Sequence, residues 1–325
     1  MKILVIGGAG YIGSHMVKML YEFNCNITTL DNLSSGYRES VLFGEFIEGD
    51  IADIELLDNI LSQGFDAVMH FASFIQVGES VENPEKYYLN NFTNTLNVLN
   101  AMKKHGVTKF IFSSTAATFG EPQYVPIDEK HPQKPINPYG RTKLMVEQVL
   151  GDYDRAYGIK SVCLRYFNAA GADPEGLLGE RHDPETHLIP LVLQVASGRR
   201  SHITVYGHDY STLDGTCIRD YIHIQDLCSA HWLALQSLIS GGESRSYNLG
   251  NGNGFSVQQV IDCAMQVTKK SIPVLKTSRR DGDPECLIAD SALATAELGW
   301  VPKYADLNAI IAHAWSWEQK VNRSI

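Results

Sequence analysis

The feature that most limits how this chain can fold is a run of glycines set between an apolar segment and a helical one. Ile3-Leu4-Val5-Ile6 leads into Gly7-Gly8-Ala9-Gly10-Tyr11-Ile12-Gly13, and residues 12–23 then read as a helix. Four consecutive apolar residues suit a strand buried on both faces of a parallel sheet. Glycines at 7, 10 and 13 allow a tight turn and a close approach of backbone to a ligand. The helix start adds unpaired N–H groups and the positive end of its dipole. Asp31 ends the next β-branched segment, eighteen residues beyond Gly13. A carboxylate there accepts from a ribose hydroxyl and repels a 2′-phosphate. This order of strand, glycine turn, helix, strand and acid predicts a dinucleotide site that takes NAD rather than NADP. Gly49-Asp50-Ile51 follows a third strand and offers a carboxylate and backbone to the adenine end. No G-K-[ST] follows the glycines, which excludes a nucleotide-triphosphatase loop.

The alternation continues along the chain. Strands are expected at 26–30, 45–48, 67–70, 109–113 and 161–165, and helices at 53–61, 84–105 and 138–157. Repeated βα units predict an α/β fold with a Rossmann-type doubly wound parallel sheet, helices on both faces. The pattern changes after Asn168. Residues 169–186 are rich in Gly, Pro and charge and read as a loop. Helices then fit 188–197, 257–268 and 306–321, with a helical stretch inside 222–240 and strands near 203–205 and 247–249. This predicts an NAD-binding domain over 1–180 and a smaller, partly interleaved α/β substrate domain over 181–325, with some segments returning to the first.

A second motif lies on the helix after the fifth strand. Tyr139 is the only one of the fifteen tyrosines with a lysine four residues on, Lys143. Positions i and i+4 share a helix face. An ammonium there favours a phenolate and lowers the tyrosine pKa towards working pH. Such a phenol can take the proton of an alcohol while hydride leaves the same carbon. Ser113-Ser114-Thr115 ends the preceding strand, where ligands sit in open α/β sheets. Thr115 is placed to bond the reacting oxygen and relay its proton to Tyr139; Ser114 fits strand-end capping equally well.

Composition narrows the class. A net charge of −10 and the absence of a basic run argue against a nucleic-acid partner. It leaves room for a local cationic pocket. No apolar run is long enough to span a membrane, and glycines interrupt the initial apolar run too early for a signal peptide. Six cysteines without a C-x-x-C pair fit neither a disulfide scaffold nor a zinc ribbon, and point to a reducing cytoplasm. His182 and His187 are five apart, whereas a helical metal pair needs four. The expectation is no metal, with the histidines structural or solvent-facing.

These motifs, with GGAGYIGSH (7–15), HFASFIQVGES (70–80), FIFSSTAATFG (110–120), NPYGRTKLMVE (137–147), LRYFNAAGA (164–172), DPETHLIP (183–190) and DGTCIRDYIH (214–223), make the chain similar to the extended short-chain dehydrogenase/reductase family over essentially its whole length. Within it, the chain resembles the branch that inverts C4 of UDP-hexoses. The resemblance implies interconversion of UDP-glucose and UDP-galactose with tightly held NAD. Tyr139 would take the 4-hydroxyl proton, hydride would pass to NAD and back, and the 4-ketose would swing between the two transfers. It assigns Tyr139 as base, Lys143 to its tuning and Thr115 to the relay. NAD contacts would fall on Gly7, Gly10, Tyr11, Ile12, Gly13, Asp31, Asn32, Asp50, Ile51, Phe71, Ala72, Asn91, Ser113, Tyr139, Lys143 and Tyr166. The UDP-sugar would meet Phe167, Asn168, His187, Leu188, Tyr206, Arg219, Arg280, Asp283 and Leu287 besides Thr115 and Tyr139. A homodimer joined through the helices at 84–105 and 138–157 is also implied.

Three positions depart from the family pattern, one of them His187, which stands where some relatives have asparagine. Ile75 replaces a lysine that some members place against NAD, leaving Gln76 as the neighbouring polar group. Leu287 stands where some carry tyrosine. It leaves room for an acetamido group and predicts that N-acetylated UDP-hexoses also enter. Three other activities share the fold. A 4,6-dehydratase needs an acid/base pair after the threonine, where this chain has Ala116-Ala117. A decarboxylase needs a uronate site that no motif supplies. A silent NAD-sensing regulator typically loses the tyrosine retained here.

Overall fold

Ile3 and Val5 pack into one apolar cluster and Leu4 and Ile6 into another, and all four are buried. Alternate side chains of a strand point to opposite faces, so a strand apolar at every position needs cover on both. The computed structural model, which describes residues 1–280 and 282–322, supplies that cover. The central sheet contains β1 (Lys2–Ile6), β2 (Asn26–Asp31), β3 (Glu45–Glu48), β4 (Ala67–His70), β5 (Lys109–Thr115) and β6 (Lys160–Tyr166). The strand Arg245–Leu249, from the second half of the chain, completes it beside β6. The order from that strand is β6, β5, β4, β1, β2, β3, and every pair is parallel. The doubly wound fold expected from the alternation is therefore present.

Helices Tyr11–Glu22 and Ile224–Ile239 cover one face through Met16, Leu20, Leu227 and Leu235. Helices Ile54–Leu61, Asn94–His105 and Pro138–Tyr157 cover the other through Leu57, Leu99, Met102, Val146 and Leu150. A third cluster joins helices Leu188–Ala196, Val257–Thr268 and Leu307–Asn322. Strand order reverses between β1 and β4, which opens a crevice at their C-terminal ends. Gly7 and Phe71 leave those two strands side by side, with the Phe71 amide donating to the Ile6 carbonyl at 2.8 Å.

Several local expectations need correction. The segment 84–105 is not one regular helix: Pro84–Tyr87 and Asn94–His105 flank a wide π-helical turn, Tyr88–Thr93. The supposed loop after Asn168 begins with a strand, Asn168–Ala170, paired in parallel with Tyr221–His223. Helices Val77–Glu82 and Ala292–Leu298 and strand Val274–Thr277 were not anticipated. These elements are short, and that strand is mostly exposed, so neither periodicity nor apolar content marks them. Among the described residues no helix is long and apolar enough to cross a membrane, and all six cysteines are free.

Candidate active site

At the end of β1, Gly7 takes φ +81° and Gly10 caps the helix Tyr11–Glu22 without a side-chain acceptor. A Cβ at Gly13 would strike the Gly7 carbonyl, so only glycine lets the helix sit this close to the turn. A Cβ at Gly10 would meet only that carbonyl, at 3.5 Å, leaving open space over the helix end for a phosphate. Asp31 accepts from the amides of Ala9 at 2.9 Å and Leu33 at 2.8 Å. Burial raises its carboxyl pKa, and those amides partly offset the rise. A carboxylate with two such bonds retains lone pairs for ribose hydroxyls. Asn32 donates to Asp50 at 2.6 Å, which links the ends of β2 and β3. These residues fit a dinucleotide.

Not every expected contact residue lines this turn. Ile12 packs against the core, and Ile51 belongs to the buried cluster beneath the sheet. The Tyr11 hydroxyl donates to the Gly171 carbonyl at 2.8 Å. Asn91, wholly buried in the π-helical turn, accepts from the Phe74 amide and donates to the Phe74 carbonyl, both at 2.9 Å. It staples the segment 71–76 that carries Phe71 and Ala72. Gln76 uses its carbonyl to accept from Tyr87 and Ser80, and Ile75 is exposed.

Asn137 caps the helix Pro138–Tyr157 by accepting from the Gly140 amide at 2.8 Å, and Pro138 occupies the first turn. A Cβ at Gly140 would hit the Ala117 carbonyl. The missing side chain therefore lets the helix start press onto the end of β5. This brings the Tyr139 phenol beside the Thr115 hydroxyl, which accepts from the Ala117 amide at 3.1 Å. One turn on, Lys143 is buried and donates to Ser73 Oγ at 2.8 Å and the Ser113 carbonyl at 2.7 Å. The Ser113 and Tyr166 hydroxyls bond to each other beside it. Ser114 points elsewhere, donating at 2.5 Å to Glu147, which also holds Arg165. That settles Ser114 as structural. Ser73 and Glu147 were missed from sequence. Glu147 carried a signal, since it lies four residues after Lys143; Ser73 comes from a different crossover.

The expected depression of the Tyr139 pKa is absent. Burial raises the phenol above its usual value, and the neighbouring Thr115 hydroxyl only partly opposes it. Lys143 directs its donors at Ser73 and Ser113, and burial drives its own pKa down to about 7 against the pull of Glu147.

Across the crevice, Arg219 pairs with Asp283, and the Arg280 guanidinium lies 3.7 Å over the Tyr206 ring. Leu287 is opposite Arg219 in a short parallel pairing. Asn168 donates to the Asp220 carbonyl at 2.8 Å, and Phe167 links it to β6. His187 caps the helix Leu188–Ala196 without a side-chain bond, leaving the first-turn amides of Leu188 and Ile189 at an open end. Neither His182 nor His187 is simply solvent-facing. Both face the buried carboxylates of Glu180 and Glu185. Burial opposes charge on these rings, but the carboxylates raise His182 to about 9 and His187 to about 10.

A parallel sheet with a glycine-rich first crossover, and a half-buried tyrosine and buried lysine at its strand ends, defines a dinucleotide-dependent enzyme. Residues 3–250 match the model of the NAD dependent epimerase/dehydratase family, and the chain belongs to that family. It is 52% identical to the UDP-glucose 4-epimerase of Halalkalibacterium halodurans, over 98% of this chain and 96% of that one. The UDP-glucose 4-epimerase of Brucella ovis, solved with NAD, superposes with a TM-score of 0.95 at 49% identity, covering 97% of each chain. The UDP-Glc/GlcNAc 4-epimerase of Campylobacter jejuni gives 0.86 at 44% identity, covering 98% of this chain and 99% of that one.

Proposed function

We propose that this protein interconverts UDP-glucose and UDP-galactose, and that its sugar pocket also admits N-acetylated UDP-hexoses. The observation that carries the reading is the Tyr139 phenol set beside Thr115, one turn before buried Lys143, with Ala116-Ala117 after the threonine and no acid. That set can move a proton to and from one hydroxyl but cannot protonate a leaving water, as a dehydratase must. When bound, NAD supplies the hydride acceptor, and its cationic ring favours the phenolate that burial alone disfavours. Thr115 bonds the reacting oxygen and passes its proton to Tyr139; Lys143 holds Ser73 and Ser113 in place and adds positive charge. Arg219, Arg280 and the open helix end at Leu188 grip the diphosphate. Tyr206 and Asp283 flank the nucleoside, and Phe167, Asn168 and Leu287 bound the sugar. Residues 1–180 hold NAD and 181–325 hold the UDP-sugar, with Ile224–Ile239 and Arg245–Leu249 returned to the first body. A cytoplasmic homodimer through the helices at 84–105 and 138–157 completes the reading.

The direct test is to add UDP-galactose to the purified protein without cofactor. UDP-glucose is expected, with NAD rather than NADP recovered from the denatured chain. No product, even with NAD added, overturns the activity. UDP-N-acetylglucosamine is expected to be a substrate as well, and Leu287→Tyr is expected to lose it selectively. One methylene-sized change in a pocket is worth about 1–3 kcal/mol, roughly 10–200-fold. Equal losses on both sugars would remove Leu287 from the specificity assignment.

Asp31→Ala tests the cofactor end. The variant leaves the Ala9 and Leu33 amides without their acceptor and removes the ribose contact. It is expected to release NAD during gel filtration while UDP still binds. Full NAD retention would reject the ribose role.

A further inference from the structure

Four side chains on the segment before the helix Leu188–Ala196 converge without sharing an element. Glu180, His182, Glu185 and His187 each present one donor atom, and all four atoms lie within 4.8 Å of one another. His182 Nδ1 is 3.3 Å from Glu180 Oε1 and 3.5 Å from Glu185 Oε2. His187 Nδ1 is 2.7 Å from Glu180 Oε1 and 3.3 Å from Glu185 Oε1. We propose that these residues bind one divalent transition cation of the Zn²⁺ class.

Two separate observations support a ligand here. The carboxylates are almost wholly buried, with side-chain exposures of 6% for Glu180 and 5% for Glu185. Two buried negative charges need compensation. Two protonated imidazoles supply it, and so does one dication between neutral rings. Without metal the carboxylates hold a proton on each ring; a bound dication displaces both protons to solvent, and the direction of the histidine nitrogens suits that exchange. Both Nδ1 atoms are buried and make no hydrogen bond, although carboxylate oxygens lie within reach. An imidazolium would aim its N–H at an oxygen. Here the oxygens lie off that direction, as ligands of a shared centre would.

The spacing suits a small tetrahedral ion. Zn–N and Zn–O bonds of about 2.0–2.2 Å put neighbouring donors roughly 3.4 Å apart. The 3.3, 3.5 and 3.3 Å separations match that value, but Glu185 meets the two rings through different oxygens, so it must turn one oxygen to the centre and the 2.7 Å His187–Glu180 pair must open to hold the ion. Two imidazoles and two carboxylates also suit zinc better than calcium or magnesium, which take oxygen ligands almost exclusively. The five-residue spacing that argued against a metal applies to histidines on one helix. His182 instead lies in irregular chain, and His187 is the helix N-cap.

The position gives the ion a structural task. The Tyr11 ring stands edge-on to His182, with centroids 6.4 Å apart, so the cluster adjoins the glycine turn. His187 is at the open end of Leu188–Ala196. An ion here would tie the glycine turn to that helix start; its effect on UDP-sugar affinity rests on the function proposed above, but metal binding itself does not.

The test uses the NAD-loaded protein stripped of metal with dipicolinate. It is titrated with Zn²⁺ against a chromogenic chelator, and with Co²⁺ for its visible d–d bands. One Zn²⁺ per chain and the bands of four-coordinate Co²⁺ are expected. His182→Ala and the isosteric Glu180→Gln should each weaken Zn²⁺ by at least about tenfold and bleach the bands. Thermal melting without metal reports whether each variant folds; if His182→Ala does not, Glu180→Gln carries the comparison. His202→Ala, outside the cluster, should bind as the parent does. The proposal fails if the parent takes up no stoichiometric Zn²⁺, if both cluster variants bind normally, or if His202→Ala loses binding equally. Because the readout is metal binding, failure of the epimerase reading would leave this result independent.

Discussion

Tyr139→Phe is expected to lower turnover of UDP-galactose by about 10²–10⁴-fold, the usual contribution of a general base. NAD content and UDP-sugar binding should stay near the parent. The substitution removes one hydroxyl, which lies beside Thr115, and the ring keeps its packing. Nothing else on the Pro138–Tyr157 helix start depends on that oxygen, since the cap is made by Asn137 and the close approach by Gly140. A fall in turnover with unchanged binding therefore reports chemistry rather than folding. Thr115→Ala should lose less, because Tyr139 can reach the sugar oxygen directly or through water, although the Ala117 amide then loses its acceptor. Single-turnover measurements at saturating substrate check both. Near-parental turnover in Tyr139→Phe would show that the proton goes elsewhere.

The second large effect is a steep loss of stability in mild acid. His15, His70, His223 and His231 are buried, and burial lowers them to about 4, 3, 3 and 4. His223 accepts from the Gln225 amide at 3.1 Å as a helix cap, a bond its protonated ring cannot make on that nitrogen. In the unfolded chain each titrates near 6.5. Below that pH the unfolded chain binds protons that the folded chain refuses. The contribution of these four is therefore full above 6.5 and falls as pH drops towards 4, whereas His182 and His187, raised to about 9 and 10, add stability as pH falls from about 10 to 6.5 and no further amount below it. Each histidine contributes up to about 1.4 kcal/mol per pH unit, so the four together reach at most about 5.5 kcal/mol per unit. A typical domain, with about 5–15 kcal/mol in all, exhausts that within a few pH units. Buried Asp31, Asp220 and Asp226, whose pKa values are raised, oppose the loss, but only where carboxylates titrate. Urea midpoints at pH 7.5, 6 and 5 measure the slope, and His231→Gln should reduce it by about a quarter. Equal midpoints at pH 7.5 and 5 would show that these histidines are not held neutral.

Local rules govern the part of the fold that is readable from sequence alone. The apolar run 3–6, the glycines and Asp31 require neighbours only a few residues away, and βα alternation leaves few arrangements of the sheet. The dinucleotide turn, the parallel sheet and the tyrosine–lysine helix were legible for that reason. The second half was less so: Asn168–Ala170 is a strand because of the partner it finds, Tyr221–His223, and 247–249 reads as a strand without showing that it joins the first sheet beside β6. Tertiary structure alone decided the electrostatics. Spacing places Lys143 on the face of Tyr139, but whether the ammonium tunes the phenol depends on burial and on where its donors go. They go to Ser73, seventy residues away, and to Ser113. The same holds for His182 and His187, which look like an unrelated pair in sequence until the chain folds Glu180 and Glu185 between them. Desolvation and hydrogen-bond direction act over a few ångströms in space, and separation along the chain does not encode them.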